Sequence, residues 1–161
     1  MEYTDKKTRI SCRVRWIVFL FYVLLLIYLL FFSEFFGRGP GVSHRFSMNL
    51  IPFHEIRRYL TQASRIGAYY VCTNLIGNIV CFMPFGYFLT RFFYRKHVRR
   101  IPAAVTLLSA AFSASVEILQ FLTSTGCADV DDVILNTLGG FFGWLITWLI
   151  LRRKGKGSPW H

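Results

Sequence analysis

Residues 113–143 read SASVEILQFLTSTGCADVDDVILNTLGGFFG, and they place acids and amides within segments that are otherwise apolar enough for lipid. Glu117 lies inside one apolar segment, and Asp129, Asp131 and Asp132 open the next. An ionisable group at membrane depth costs about 2.5–3.5 kcal/mol on insertion scales, so such groups usually face a bundle interior or a polar cavity. The stretch therefore predicts membrane-spanning helices that enclose a polar site.

Four segments of the chain are long and apolar enough to cross a membrane. A helix of about 20 residues crosses a hydrocarbon core of about 30 Å. We predict spans at about residues 14–32, 68–92, 101–122 and 130–151. The first is longer than the apolar part of a signal peptide and no small-residue cleavage site follows it, so we interpret it as an uncleaved anchor. The predicted fold class is all-α, an integral membrane bundle of four transmembrane helices.

The loop between the first two spans divides into a linker and a short helical pattern. Residues 37–41 are rich in Gly and Pro, which is typical of a linker. After Pro52, one set of residues at helical spacing is apolar and the other is basic: Phe53, Ile56 and Leu60 against His54, Arg57 and Arg58. This pattern predicts a short interfacial helix in the outer loop. An ordinary loop packed over the bundle is the alternative.

The basic residues indicate orientation rather than a nucleic-acid surface. The net charge is +11, but Lys and Arg lie between apolar runs and form no continuous stripe, so no nucleic-acid partner is expected. Fourteen of the 19 lie in the N-terminal tail, the loop between the second and third spans, and the C-terminal tail. By the positive-inside rule we expect a multi-pass protein of the cell membrane whose termini, residues 1–13 and 152–161, are cytoplasmic basic tails.

Each of the last three spans carries polar or small residues along one face. The third span has Ser109, Ser113, Glu117 and Gln120 in one narrow stripe. The second has Asn74 and Asn78, and the fourth has Asp132, Asn136, Gly139, Gly140 and Gly143. With a rise of about 1.5 Å per residue, these groups fall at similar depths in the outer half of the bilayer. We therefore expect the three faces to meet around a polar pocket that opens outward.

The candidate catalytic residues are Glu117, Asp129 and Asp132. Glu117 could act as a hydrogen-bond donor, a general acid or base, or a metal ligand together with the two aspartates. Asp129 joins the polar stripe if the fourth helix extends that far, whereas Asp131 points elsewhere. The alternative is that Asp129 caps the fourth helix and the other two aspartates favour its first turn. The sequence names no cofactor and no definite metal site.

The candidate substrate-binding residues are Asn74, Asn78, Ser113, Gln120, Asn136, Arg57 and Arg58. The amides and the serine would line the pocket, and the two arginines would lie near anionic head groups. The alternative for the amides and the serine is interhelical hydrogen bonding, worth about 0.6 kcal/mol on average. The glycines at 139 and 143 indicate close helix packing. Pro84 predicts either a kink in the second span or the end of its regular part.

These motifs together resemble the VanZ-like family, which is named for a glycopeptide (teicoplanin) resistance protein. The matching pieces are Asn49-Leu50-Ile51-Pro52-Phe53, Asn78-x3-Phe82-x-Pro84-x-Gly86, Glu117-x2-Gln120 and Asp129-x2-Asp132-x3-Asn136-x2-Gly139-Gly140. The resemblance implies a small multi-helix membrane protein, mostly of bacteria, without an established biochemical activity. Many relatives carry an arginine shortly before the first aspartate. This chain reads Thr125-Gly126-Cys127-Ala128 there, which argues against carrying over a mechanism that needs a cation at that turn.

Three functions fit this pattern. The first is a protein that binds, and in one version modifies, an envelope amphiphile such as a membrane lipid, a lipid-linked cell-wall intermediate or a lipoglycopeptide. Whether it is an enzyme stays open. The second is a non-enzymatic scaffold or partner-binding protein whose polar seam only fixes helix packing. The third is a transporter, which is the weakest because four spans are few and no inverted repeat is visible, although a homo-oligomer would relieve that objection.

Overall fold

The computed structural model describes residues 2–32, 48–93 and 101–153 of the chain. The predicted linker at residues 37–41 and the tail beyond Arg153 lie outside the described residues. The elements are α1 (Glu2–Phe32), β1 (Met48–Asn49), α2 (His54–Thr61), α3 (Ala63–Ile66), α4 (Ala68–Phe93), α5 (Ile101–Leu122), β2 (Ala128–Asp129) and α6 (Val130–Arg153).

Four of the helices are long and apolar enough to cross a membrane. They are the Cys12–Phe31 part of α1 and the whole of α4, α5 and α6. Because every backbone polar group in lipid must be satisfied within the segment, long apolar runs of this kind become helices. The predicted all-α membrane bundle is therefore confirmed, and the short helix predicted after Pro52 is present as α2.

Helices α4 and α6 run parallel and pack backbone against backbone through glycines. A Cβ atom added to Gly139 would lie 2.2 Å from the Ile79 carbonyl oxygen, and one added to Gly143 would lie 2.0 Å from the Met83 carbonyl oxygen. A Cβ atom at Gly86 would lie 1.9 Å from the oxygen of Gly140. The glycine seam predicted from residues 139 and 143 is thus a packing surface, in which small residues allow close helix approach.

Helix α5 runs antiparallel to this pair and closes its polar side. Its Ser109 lies so close to Gly140 that an added Cβ would be 2.0 Å from the serine hydroxyl oxygen. Helix α4 continues through Pro84 to Phe93 and is not ended by it. The proline lacks an N–H, so the carbonyl four residues earlier loses its helical partner.

Helix α1 packs on the outside of the bundle through aromatic rings and through Leu26 and Leu30, which are buried against Phe82 and Val116. The Trp16 and Phe92 rings stack with centroids 4.1 Å apart. The ring centroids of Phe19 and Phe88 are 5.4 Å apart. The Tyr22 hydroxyl donates a hydrogen bond to the Cys81 carbonyl oxygen at 2.5 Å. Most large side chains of α1 are exposed, as expected for a helix that faces lipid on several sides.

A two-residue parallel strand pair, which the sequence pattern did not predict, ties the loop after α1 to the bundle. Met48 pairs with Ala128 and Asn49 pairs with Asp129. Asp129 therefore lies in β2 and not in the fourth helix, which begins at Val130. We call this end of the bundle, where α4 and α6 begin and α5 ends, the acidic end. The opposite end, with Arg91, Arg152 and Arg153, is the basic end.

Candidate functional site

The three candidate catalytic carboxyl groups lie at the acidic end. Glu117 of α5 is 5% exposed, and its Oε2 accepts the backbone N–H of Asp129 at 3.0 Å. Asp132 of α6 accepts the Asn78 side-chain amide of α4 through Oδ1 at 2.6 Å. The structure thus brings all three candidate catalytic residues and Asn78 to one end of the molecule, where they link α4, α5, β2 and α6.

Asp129 has a perturbed carboxyl group whose hydrogen bonds are defined. Its Oδ1 accepts the Asn49 side-chain amide at 3.1 Å and the backbone N–H of Asp131 at 2.8 Å. Partial burial raises the pKa of the Asp129 carboxyl above its ordinary value, the nearby Asp131 and Glu55 carboxylates raise it further, and the two hydrogen bonds lower it. Perturbed carboxyl pKa values occur both at functional sites and in structural hydrogen-bond networks.

Asp131 has a structural role that the sequence pattern missed. It is 1% exposed, and its carboxylate accepts the backbone N–H groups of Phe53 and, at 3.0 Å, Ile56. These are orphan donors at the start of α2, so Asp131 caps a helix that lies more than seventy residues earlier in the chain. One local signal existed: Phe53, at the N-cap position, has no side-chain oxygen that could cap α2.

The remaining predicted amides and Ser113 have separate hydrogen-bond partners. Asn136 donates from Nδ2 to the Ser113 hydroxyl at 2.8 Å, which joins α6 to α5. Gln120 donates from Nε2 to the Leu30 carbonyl of α1 at 2.9 Å, so it faces α1 and not the carboxylates. Asn74 donates to the Tyr70 carbonyl of its own helix at 2.9 Å. Of these four predicted residues, Ser113 and Asn136 are the pair that the structure brings together.

Two buried amide oxygens keep unused acceptor capacity. Asn136 Oδ1 and Gln120 Oε1 have no hydrogen-bond partner within the described residues. A buried acceptor left without a donor costs about 1–3 kcal/mol, so such atoms are usually met by water or by a ligand. The bundle interior can therefore still accept a hydrogen bond at each of these two positions.

The two predicted arginines lie on the exposed side of α2. Arg58 pairs with Glu55 at 2.5 Å and lies 5.4 Å from the Tyr59 ring centroid. Arg57 is exposed, and its guanidinium contacts no partner among the described residues. Burial raises the pKa of the Tyr59 hydroxyl to about 12. The cationic surface is thus beside the carboxylate cluster but separate from its hydrogen bonds.

Among the residues that the structure describes, no group of three or more His, Cys, Asp or Glu side chains could hold a metal ion. The alternative in which Glu117, Asp129 and Asp132 share one metal therefore receives no support from their geometry. These carboxylates instead contact backbone N–H and side-chain amide groups.

A membrane bundle with a carboxylate and amide cluster at one end is the class of protein that this fold and site define. The family model described as VanZ/LLP1 matches residues 19–151, and the chain belongs to that family. It is 35% identical over 102 residues to Protein VanZ of Enterococcus faecium, an alignment that covers 62% of this chain and 52% of that protein. The chain thus spans about half the length of this curated relative. No solved structure matches the chain.

Proposed function

We propose that this protein binds an envelope amphiphile, a lipid-linked cell-wall intermediate or the lipid-bearing part of a lipoglycopeptide, at its acidic end. In this proposal both termini are cytoplasmic, so the acidic end faces the outer leaflet. Binding there would lower susceptibility to glycopeptides, by analogy with the relative's family. The observation that carries the proposal is the convergence of Glu117, Asp129 and Asp132 at one end of the bundle, beside the exposed guanidinium of Arg57.

The proposed roles follow from how accessible each group is. Asp129 and Asp132 are only partly buried, so they would accept hydrogen bonds from ligand hydroxyls or amides. Glu117 is buried and holds the backbone of Asp129, so it would act as a positioning residue. Arg57 would contact a phosphate or carboxylate of the head group, because its guanidinium is exposed at the same end. If the site also modifies its ligand, Asp129 would accept a proton, because it is partly exposed and its pKa is raised.

Replacing Asp129 by Asn tests this arrangement directly. Because Asn keeps an oxygen that can accept from Asn49 and Asp131, the fold should persist while the charge is lost. Hydrogen bonds to charged groups contribute about 1.5–3 kcal/mol, so we expect binding of a labelled lipoglycopeptide to protein in nanodiscs to weaken about tenfold or more. Glu117→Gln should also weaken binding of the lipoglycopeptide, while the variant protein accumulates in the membrane to the normal level.

The matched control is Glu55→Gln, which removes a carboxylate from the same end without breaking the hydrogen bonds of Glu117 or Asp129. This variant should bind like the wild-type protein and should restore glycopeptide tolerance in a deletion strain to the same degree. The proposal fails if Asp129→Asn and Glu117→Gln both bind the ligand and restore tolerance as well as the wild-type protein at equal abundance. In that case these carboxyl groups have no role in the function.

The raised pKa of Asp129 predicts how the stability of the protein depends on pH. Its raised pKa means that the native state binds the proton more tightly than the unfolded chain, so its contribution to stability falls as pH rises from the ordinary value of 3.8 through the raised pKa. Asp129→Asn should therefore raise the melting temperature at neutral pH and lose that advantage below pH 3.8. Melting curves of both proteins in one detergent across this window check it. A variant that melts lower than wild type at neutral pH contradicts it.

A scaffold function remains the second candidate, and the bond between Asn136 and Ser113 favours it. Both residues are buried, and with the glycine contacts they lock α6 to its neighbours. On this reading Asn136→Ala lowers abundance, whereas Asp129→Asn changes neither abundance nor ligand binding. Measuring abundance and binding on the same set of variants separates the two functions.

A further inference from the structure

The basic end contains a small polar pocket between α4 and α6. It has a volume of about 160 Å³ and is lined by Tyr87, Arg91, Thr147, Ile150 and Leu151. The Nε atom of Arg91 is buried and has no hydrogen-bond partner in the part of the chain that the structure describes. A buried guanidinium N–H without an acceptor is costly, so a bound acceptor would stabilise it.

An apolar groove of about 390 Å³ continues from this pocket along the lipid-facing side of α4 and α6. It shares Tyr87 and Thr147 with the polar pocket and extends past Ile146 and Pro84 to Val80. From Arg91 to Val80 the helix rises about 17 Å, close to half of a hydrocarbon core of about 30 Å. The groove therefore has the length of an acyl chain from one leaflet, and it begins where the arginine lies.

The charges near the pocket favour an anionic ligand. The carboxylates whose side chains the structure describes all lie at the acidic end, and the span from Asp132 to Leu151 rises about 28 Å. Arg152 and Arg153 are exposed at the basic end, and Arg152 lies 5.2 Å from the Trp148 ring centroid. None of the acids whose side chains the structure describes lies beside Arg91, and a bound anion would supply a complementary charge.

We propose that this surface is a binding site for one anionic phospholipid, with its phosphate against Arg91 and one acyl chain in the groove between α4 and α6. Arginine suits a phosphate because its planar fork of N–H donors matches two phosphate oxygens. A free phosphate would use only the polar pocket, whereas the continuous apolar groove requires a ligand with a chain. The site lies at the opposite end of the bundle from the carboxylate cluster and does not depend on it.

The test is native mass spectrometry of the full-length protein, purified in detergent and supplied with phosphatidylglycerol or phosphatidylcholine in equal amounts. The wild-type protein should retain one phosphatidylglycerol and at least tenfold less phosphatidylcholine. Arg91→Gln should lower retention of phosphatidylglycerol about tenfold. The matched control, Arg153→Gln, removes an exposed arginine from the same end and should retain the lipid like the wild type.

A second variant tests the groove without changing any charge. Ile146→Trp fills the apolar groove from an exposed position and should also displace the lipid. If Arg91→Gln lowers the yield of folded protein, this variant is compared with the wild type instead. The proposal is overturned if phosphatidylcholine is retained equally, if Arg153→Gln loses as much lipid as Arg91→Gln, or if Ile146→Trp retains phosphatidylglycerol. It is also overturned if inorganic phosphate alone raises the melting temperature as much as the lipid does, or if a second copy of the chain occupies the groove.

Discussion

Gly86→Ala should sharply reduce the amount of folded protein that accumulates in the membrane. The added Cβ atom would lie 1.9 Å from the Gly140 carbonyl oxygen and 3.0 Å from its Cα, and both are backbone atoms that no rotamer change can move. Helices α4 and α6 must therefore separate along a seam that also includes Gly139 and Gly143. Overpacking a filled interior typically costs about 1–3 kcal/mol, and a backbone contact on this scale falls at the upper end.

Membrane abundance and melting temperature in detergent measure this effect. Ala111→Val is the matched control, because it adds more volume than the glycine substitution but does so at an exposed position of α5. The control should accumulate and melt like the wild-type protein. Equal behaviour of Gly86→Ala and wild type would mean that α4 and α6 do not pack as closely as described.

Asp131→Ala should release α2 from the acidic end. The substitution removes the acceptor of two backbone N–H groups, those of Phe53 and Ile56, at a buried position. Loss of an N-cap costs up to about 2 kcal/mol, which corresponds to about thirty-fold in the equilibrium between docked and released α2. Trypsin cleavage at the exposed Arg57 and Arg58 should therefore be about thirty times faster in the variant, provided that opening precedes cleavage.

Two comparisons separate capping from charge. Asp131→Asn keeps one oxygen acceptor and should be cleaved at an intermediate rate. Glu55→Gln removes an acid from the first turn of α2 but leaves no N–H group without a partner, so it should change cleavage by only a few fold. A wild-type cleavage rate for Asp131→Ala would contradict the capping role.

The periodic features of the fold could be predicted from sequence because each is encoded locally. The cost of placing polar groups in lipid and the 3.6-residue repeat are properties of single helices, and they correctly predicted four spans, three of which carry a polar face. The pairing of β1 with β2 and the capping of α2 by Asp131 join residues more than seventy positions apart. Nothing in either local segment specifies its partner, so these contacts required the structure.

The stripe on α5 shows why the predicted site was too broad. Ser113 and Gln120 share one helical face, yet Ser113 bonds to α6 and Gln120 bonds to α1. A stripe seven residues long covers two turns, and a helix packed among several neighbours meets different partners at successive turns. Asn74 shows a further limit, because a short amide can satisfy itself on its own helix. Spacing alone therefore identifies a buried face but not its partner.

The parallel pairing of α4 and α6 has an electrostatic consequence. Two aligned helices bring two positive dipole ends together where they start and two negative dipole ends together where they stop, each equivalent to about half an elementary charge. Asp131 and Asp132 lie in the first turn of α6, and Arg152 and Arg153 lie in its last. The side-chain charges of α6 therefore oppose the dipole charges of the backbone at both ends of the helix. Placing the arginines at its start and the aspartates at its end would put like charges together at each end.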